Sequence, residues 1–178
     1  MNSRICPWLM VVGLMMTSGV QAAGTTLDIT FTGALIDRMC LFEQGDAPME
    51  VTFPARAIKY FEQYGRTETQ TFAIGLKDCS SSTQAKLVDL TFAFPQAQVV
   101  NGVPMLKPSG DTGLVIGLLD SKGSPIEPDK AVEVGTITQT GNGSLNRFTL
   151  GAYVLAPEGS QVKAGQYRAS TTFTVSYR

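Results

Sequence analysis

The chain ends in the sequence Gly165-Gln-Tyr-Arg-Ala-Ser-Thr-Thr-Phe-Thr-Val-Ser-Tyr-Arg178. From Tyr167 onward, every second side chain is aromatic, aliphatic or threonine, and the side chains between them are polar or charged. This period of two, rich in β-branched and aromatic residues and free of proline, predicts a strand buried on one face. The predicted inward side chains are Tyr167, Ala169, Thr171, Phe173, Val175 and Tyr177. On this pattern alone, the stretch is more typical of an ordinary closing strand in a β-sandwich than of a terminal edge with a special role.

The composition excludes several functional classes. The chain has 178 residues, a formal net charge of −1 and no His. It therefore lacks a basic field for nucleic acid, a His general base and an imidazole metal site. We predict no catalytic, cofactor-binding or metal-binding residues and expect that the protein is not an enzyme.

The first residues predict export. Arg4 supplies a positive charge, residues 8–16 are apolar, and Val20 and Ala22 have the spacing of a signal-peptidase site. We expect residues 1–22 to be a secretory signal peptide, because the apolar run is too short to span a bilayer.

The cysteine count predicts one disulfide bond. Cys6 lies in the predicted signal peptide, which leaves Cys40 and Cys79 in the exported chain. An even pair of cysteines in an exported protein favours a bond between them.

The rest of the chain predicts a β-sandwich with Greek-key connections, because short strands recur at regular spacing. Leu27, Ile29 and Phe31 alternate with polar residues near the predicted mature N-terminus, which leaves room for an arm followed by a first core strand near 33–40. The other predicted elements are strands near 49–53, 69–79, 88–94, 113–120, 131–137 and 146–155, a helical turn within 54–64, and a long loop or loosely paired excursion over 95–113.

Three motifs together resemble pilin subunits of the chaperone–usher pathway. Gly165 is the fourteenth residue from the end and Tyr177 the penultimate one. The sequence Phe72-x-Ile-x-Leu-x-Asp-Cys79 resembles the pilin strand that carries the second disulfide cysteine, and Leu119-Asp120 is followed by a glycine-containing turn as in pilins.

The resemblance implies an all-β, incomplete immunoglobulin-like sandwich that lacks its final strand. The implied organisation is a signal peptide (1–22), an N-terminal donor-strand extension (23–32) and a pilin domain (33–178). A periplasmic chaperone would first fill the groove left by the missing strand, and a neighbouring subunit would replace it after delivery to an outer-membrane usher. The fibre would lie on the cell surface and contribute to adhesion.

The resemblance also assigns roles to residues. Leu27, Ile29 and Phe31 would be the donor side chains of the extension. The strand facing the chaperone and the groove would comprise Gly165, Tyr167, Ala169, Thr171, Phe173, Val175, Tyr177 and Arg178, with the Arg178 carboxylate held by cationic chaperone residues. No cofactor and no transmembrane segment are implied.

One departure from the family concerns the arm. Many pilin arms carry a glycine among the groove-filling residues, whereas here Gly24 lies at the tip and Thr25 or Leu27 takes that site. The arm is also short, which favours a minor or tip-proximal subunit over the main shaft repeat.

The alternative interpretation is a self-contained secreted β-sandwich that binds carbohydrate, as a single-domain adhesin does. Exposed aromatic residues on loops would favour it, and the candidates are Tyr60, Phe61 and Tyr64.

Overall fold

The computed structural model describes residues 39–178. The predicted signal peptide, the donor-strand extension with Leu27, Ile29 and Phe31, and residues 33–38 of the predicted first core strand lie outside the described residues.

Two antiparallel sheets form the domain, which confirms the predicted all-β sandwich. The larger sheet contains, in spatial order, β1 (Leu41–Phe42), β2 (Gln70–Lys77), β8 (Leu145–Leu155), β6 (Val115–Leu119), β5 (Val103–Leu106) and β4 (Ala97–Val100). The smaller sheet contains β7 (Ala131–Thr136), β3 (Leu87–Ala93) and β9 (Thr172–Tyr177). The chain changes sheet on entering and leaving β3, on entering and leaving β7, and on entering β9, so its connections cross between the sheets repeatedly, as in other sandwiches.

The core lies between the two sheets and follows the period of two. Ile74 and Leu76 on β2 face Leu90 and Phe92 on β3, and these side chains are almost fully buried. Each large side chain buried in this way contributes about 1.5–3 kcal/mol relative to an exposed one. The fully buried Ile137, which follows β7, closes the same cluster.

A short helix, α1 (Ile58–Tyr64), confirms the helical turn predicted between β1 and β2. It packs against the core through the buried Phe61. It ends at Gly65, which has a φ of +70° and donates its N–H to the Phe61 carbonyl oxygen at 2.8 Å. A glycine fits here because the left-handed region costs it no steric clash.

The prediction of a strand at 49–53 is wrong. Met49, Val51 and Phe53 do turn inward against the core, as the alternation requires, but no strand is formed. Among residues 39–178, no backbone hydrogen bond joins this segment to a neighbour. Alternation reports which side chains are buried, whereas a strand also needs a partner for its amides and carbonyls.

Residues 97–106 form a hairpin within the predicted long excursion. β4 and β5 pair from Ala97↔Leu106 to Val100↔Val103 around the turn at Asn101 and Gly102, both of which have positive φ. Pro104 is tolerated in β5 because β5 pairs with β6 only at Leu106↔Ile116. Strand β1 begins after Cys40, and residues 39–40 at the end of the predicted first core strand are not in strand conformation.

No helix within residues 39–178 is both long enough and apolar enough to cross a membrane.

The predicted disulfide bond between Cys40 and Cys79 is confirmed. Cys40 precedes β1 and Cys79 follows β2, so the bond joins the adjacent ends of two paired strands. The amide of Ser80 donates to the Met39 carbonyl oxygen at 2.7 Å and continues this pairing past the bond.

Reduction of this bond should destabilise the domain by about 4 kcal/mol, because the unfolded chain regains the entropy of an open loop of roughly 40 residues. Urea unfolding of the oxidised and reduced protein measures the difference. The reductant should leave the Cys40→Ser/Cys79→Ser double variant unaffected, and equal midpoints for oxidised and reduced wild-type protein would contradict the prediction.

Candidate functional site

The last strand, β9, lies at one side of the smaller sheet and pairs with β3 from Val88↔Tyr177 to Ala93↔Thr172. Among residues 39–178, no strand pairs with its other side. The inward side chains Phe173, Val175 and Tyr177 pack on the core but are only half-buried. The edge that would belong to a further strand is therefore bordered by core side chains.

The hydrogen-bond pattern shows which backbone groups of β9 point outward. Arg178 and Leu87 exchange both of their main-chain hydrogen bonds, at 3.0 Å each. In an antiparallel pair the bonding residues alternate, so residues 172, 174, 176 and 178 direct their amides and carbonyls to β3. Phe173, Val175 and Tyr177 consequently direct theirs to the outer edge, while their side chains face the core. A partner strand could take up both sets of groups.

A cleft of about 370 Å³ lies between β9 and the residues near the disulfide bond, which form its two walls. The cleft is lined by Met39, Cys40, Phe42, Leu76, Phe173, Thr174, Val175 and Tyr177. Met39 and Phe42 are 39% and 37% exposed, which is high for large apolar side chains beside a core. We call this cleft, with the inward residues of the terminal stretch, the β9 groove.

Two aromatic contacts connect the walls of the β9 groove. The rings of Phe42 and Phe173 meet edge to face with centroids 5.6 Å apart. Farther along, the centroids of Phe53 and Tyr167 are 6.5 Å apart. The segment around Phe53, which was predicted as a strand, is therefore part of the wall. The alternating pattern at 49–53 was the signal for this role.

The terminal stretch alternates in burial from Tyr167 to Arg178, as predicted, although the bonded strand covers only Thr172–Tyr177. Tyr167, Ala169 and Thr171 are half-buried, and the Thr171 hydroxyl donates to the Ala93 carbonyl oxygen at 2.8 Å. The ladder stops there because β3 ends at Ala93. The predicted groove-facing residues from Tyr167 to Tyr177 thus lie on one face.

Gly165 lies in the exposed lead-in to this stretch, at ordinary negative φ. A Cβ built on it would lie 3.4 Å from the Thr112 methyl group. Nearby, Gly110 has a φ of +92°, and a Cβ there would lie 2.3 Å from the Gln166 carbonyl oxygen. The lead-in therefore runs in close contact with the loop before β6, and this contact positions the terminal stretch.

Arg178 lies on the outer face of the smaller sheet. Its guanidinium donates two hydrogen bonds to the Asp89 carboxylate, one of them from Nη2 to Oδ1 at 2.9 Å, and a third to Glu133 Oε2 at 3.1 Å. Asp89 is only 4% exposed. Nothing in the sequence pattern predicted a role for Asp89 or Glu133. The available signal was a single acidic residue in the otherwise apolar and threonine-containing strand Leu87–Ala93.

The aromatic residues weighed for carbohydrate binding do not form one exposed platform. Phe61 is buried in the core, while Tyr60 stacks against Tyr64 with centroids 4.8 Å apart and lies under the Arg56 guanidinium at 5.0 Å. Within residues 39–178, no three His, Cys, Asp or Glu side chains are grouped so that they could hold a metal ion.

The model of the family described as "Fimbrial protein" matches residues 29–178. The chain belongs to this fimbrial protein family. It is a structural subunit of a chaperone–usher fimbria at the cell surface, where it contacts other pilin subunits, and it is not an enzyme. The family match favours this conclusion over a self-contained carbohydrate-binding sandwich.

Two relatives from Escherichia coli are similar to the subunit over nearly their full length. The fimbrial adapter PapK is 32% identical, with 93% of this chain and 97% of PapK covered. Protein PrsK is also 32% identical, with 93% and 97% covered.

Solved structures confirm the fold of the subunit. A chain from a chaperone–usher pilus structure that addresses rod uncoiling superposes with a TM-score of 0.63 at 21% identity, covering 87% of this chain and 97% of that one. The crystal structure of the P pilus rod subunit PapA gives a TM-score of 0.61 at 23% identity, covering 79% and 100%. Both support the incomplete immunoglobulin-like fold predicted from the sequence.

The local environment changes the ionisation of several side chains in the subunit. Burial raises the pKa of Tyr167 and of Tyr177 above the usual phenol value. Hydrogen bonds from Arg178 lower the pKa of the Asp89 carboxyl, although burial acts in the opposite direction. Asp89 is therefore a carboxylate held ionised by its pairing with the last strand.

This pairing predicts an acid dependence of stability. Since the pKa of Asp89 is lower in the folded than in the unfolded chain, its contribution is fully present above the unfolded value of about 3.9 and is lost as pH falls through the folded value. We expect the free energy of unfolding of wild-type subunit to fall more steeply below about pH 4 than that of Asp89→Asn. Urea unfolding across this pH range measures both.

Asp111→Asn is the matched control, because Asp111 also pairs with a cation, Lys163, but at the surface. Exposed pairs contribute little to stability, so this variant should follow the wild-type curve closely. Parallel curves for the wild-type subunit and Asp89→Asn would contradict the prediction.

Proposed function

We propose that this subunit is incorporated into its fimbria by donor-strand exchange at the β9 groove. The observation that carries the proposal is the outer edge of β9, where Phe173, Val175 and Tyr177 combine outward backbone groups with half-buried inward side chains. An added strand would satisfy the amides and carbonyls and cover the apolar faces in one step, which is the chemistry of β-strand addition.

We propose that residues 23–32 are the donor extension and residues 33–178 the accepting pilin domain. Residues 23–31 would span roughly 26 Å as a strand, and the stretch from Tyr167 to Tyr177 roughly 33 Å, at about 3.3 Å per residue. A donor arm of this length covers most of one groove. Burying Leu27, Ile29 and Phe31 would contribute about 5–9 kcal/mol before any main-chain pairing.

The exposed apolar groove also supports a requirement for a chaperone. Met39, Phe42 and the inward side of β9 would meet water in the periplasm until a partner strand arrives. We propose that a periplasmic pilus chaperone fills the groove first, with Tyr177 and the Arg178 carboxylate as its anchor, and that an outer-membrane usher receives the complex. The finished fibre contributes to adhesion of the cell.

The position in the fibre that we propose is a minor or tip-proximal one. Full-length similarity to a protein described as a fimbrial adapter supports this position. The short arm, with Gly24 at its tip, agrees with a subunit that joins different neighbours rather than repeating along a shaft.

Deletion of Ala23–Phe31 should separate the two roles of the subunit, which are to accept a strand in its groove and to donate a strand to the next subunit. The groove remains, so the chaperone complex should form at the wild-type level, whereas donation to the next subunit should be lost. Co-purification with tagged chaperone and recovery of fimbriae from the cell surface measure the two outcomes. If the deletion unfolds the domain instead, the arm is an internal strand and the proposal fails.

Tyr177→Ser should lower the yield of chaperone complex several-fold, because it removes a large apolar side chain from the groove. Ser176→Thr is the matched control, since Ser176 is the exposed neighbour on the outer face. Co-purification of tagged chaperone with each variant measures the effect. A soluble Tyr177→Ser monomer at the wild-type level without chaperone would contradict the proposal.

A further inference from the structure

The outer face of the smaller sheet carries one row of charges across its three strands. Glu133 on β7 lies directly opposite Asp89 on β3, and Ser176 on β9 lies directly opposite Asp89 on the other side. Two carboxylates thus face each other across neighbouring strands, and they repel each other unless a cation binds both of them. Arg178 is that cation, because its guanidinium binds both carboxylates.

The strength of this contact depends on geometry as well as on charge. Asp89 is buried, and the Arg178 guanidinium donates to its carboxylate through Nε and Nη2. This bidentate arrangement fixes both the position and the orientation of the guanidinium. The Arg178 side chain is 57% exposed and lies between Asp89 and the solvent. Replacing Arg178 with a neutral residue would leave a buried carboxylate without a partner.

The apolar pattern of β9 cannot determine its register alone. A slip by one residue along β3 would turn Phe173, Val175 and Tyr177 away from the core, so alternation excludes it. A slip by two residues restores the same faces and the same hydrogen-bonding positions, because the strand has a period of two. Only a contact that a shifted register cannot reproduce excludes the second kind of slip. The packing of Gly110 against Gln166 is such a contact in the lead-in, and within β9 the pairing of Asp89 with Arg178 is another.

We propose that Asp89, assisted by Glu133, is the positioning residue that fixes the register of β9 through Arg178. This register decides where the outward amides and inward side chains of the β9 groove meet a partner strand. The inference rests on the proposed function only in this last respect, since the register itself is a property of the subunit alone.

Pairs of cysteines introduced on the outer face of β3 and β9 can report the register between these strands. Thr91 lies opposite Thr174, so a short bis-methanethiosulfonate, from which each cysteine thiolate displaces a sulfinate, should cross-link Thr91→Cys to Thr174→Cys in the full-length subunit. It should cross-link Thr91→Cys poorly to Thr172→Cys or Ser176→Cys, which are the partners after a slip by two residues. The measurement is made in periplasmic extracts, where the native cysteines are joined in their disulfide.

In the Asp89→Asn background, we expect the Thr91–Thr174 cross-link to fall at least threefold and a slipped cross-link to rise. Asp89→Glu, which keeps the charge, should restore most of the original pattern. Glu127→Gln is the matched control, because Glu127 forms an exposed ion pair with Lys130 away from β9. It should leave all three cross-links unchanged.

The double variant Asp89→Asn/Arg178→Gln separates register from buried charge. It has neither ion of the buried pair, and the Glu133 carboxylate that loses its cation is exposed, so no buried unpaired carboxylate can unfold it. It should nevertheless slip as Asp89→Asn does. If this double variant keeps the Thr91–Thr174 cross-link at the parent level, Asp89 does not set the register and the inference is overturned.

Co-purification with a tagged periplasmic pilus chaperone, the proposed first occupant of the groove, tests the link to function. The parent subunit should co-purify with the chaperone, and Asp89→Asn should do so at least threefold more weakly. If the parent does not co-purify while the cross-links shift as expected, the proposed function fails and the register inference stands. Equal co-purification of the parent and a slipped Asp89→Asn subunit would overturn the claim that register governs docking.

Discussion

The outer edge of β9 is the constraint on which the structure depends. Phe173, Val175 and Tyr177 turn their side chains to the core and their amides and carbonyls to the same edge, which no strand within residues 39–178 covers. Unpaired backbone groups and half-covered apolar side chains are each unfavourable, and a single added strand corrects both. A subunit with such an edge is suited to assembly with other chains, and its family membership agrees with this conclusion.

The remaining elements hold the walls of that edge in place. The Cys40–Cys79 disulfide bond fastens the end of the wall that contains Met39 and Phe42. The close packing of Gly110 against Gln166 fixes the lead-in to the terminal stretch. These contacts tie the walls of the β9 groove to the rest of the domain at both ends.

The sequence predicted which side chains are buried better than it predicted which backbone segments pair as strands. Alternation identified the inward face from Tyr167 to Tyr177 because side-chain period depends only on the strand itself. It overextended the bonded strand because pairing ends where the partner ends, at Ala93. Met49–Phe53 shows the same limit, since its side chains are inward but its backbone joins no strand in the described part of the chain. Asp89 was not predicted, because an acidic residue on the outer face of a strand is typically solvated. Its burial beneath Arg178 depends on which residues lie beside it on the neighbouring strands, and a single strand's pattern does not contain that information.

Amide hydrogen exchange at β9 tests most directly whether this edge receives a partner strand. The amides of residues 172, 174 and 176 should exchange slowly whether or not a partner strand is bound, because they bond to β3. The amides of Phe173, Val175 and Tyr177 should exchange rapidly in the subunit freed of its partner and become protected, by at least tenfold, in the assembled form. Rapid exchange of these three amides in the assembled fibre would contradict the assignment of this edge as the docking site.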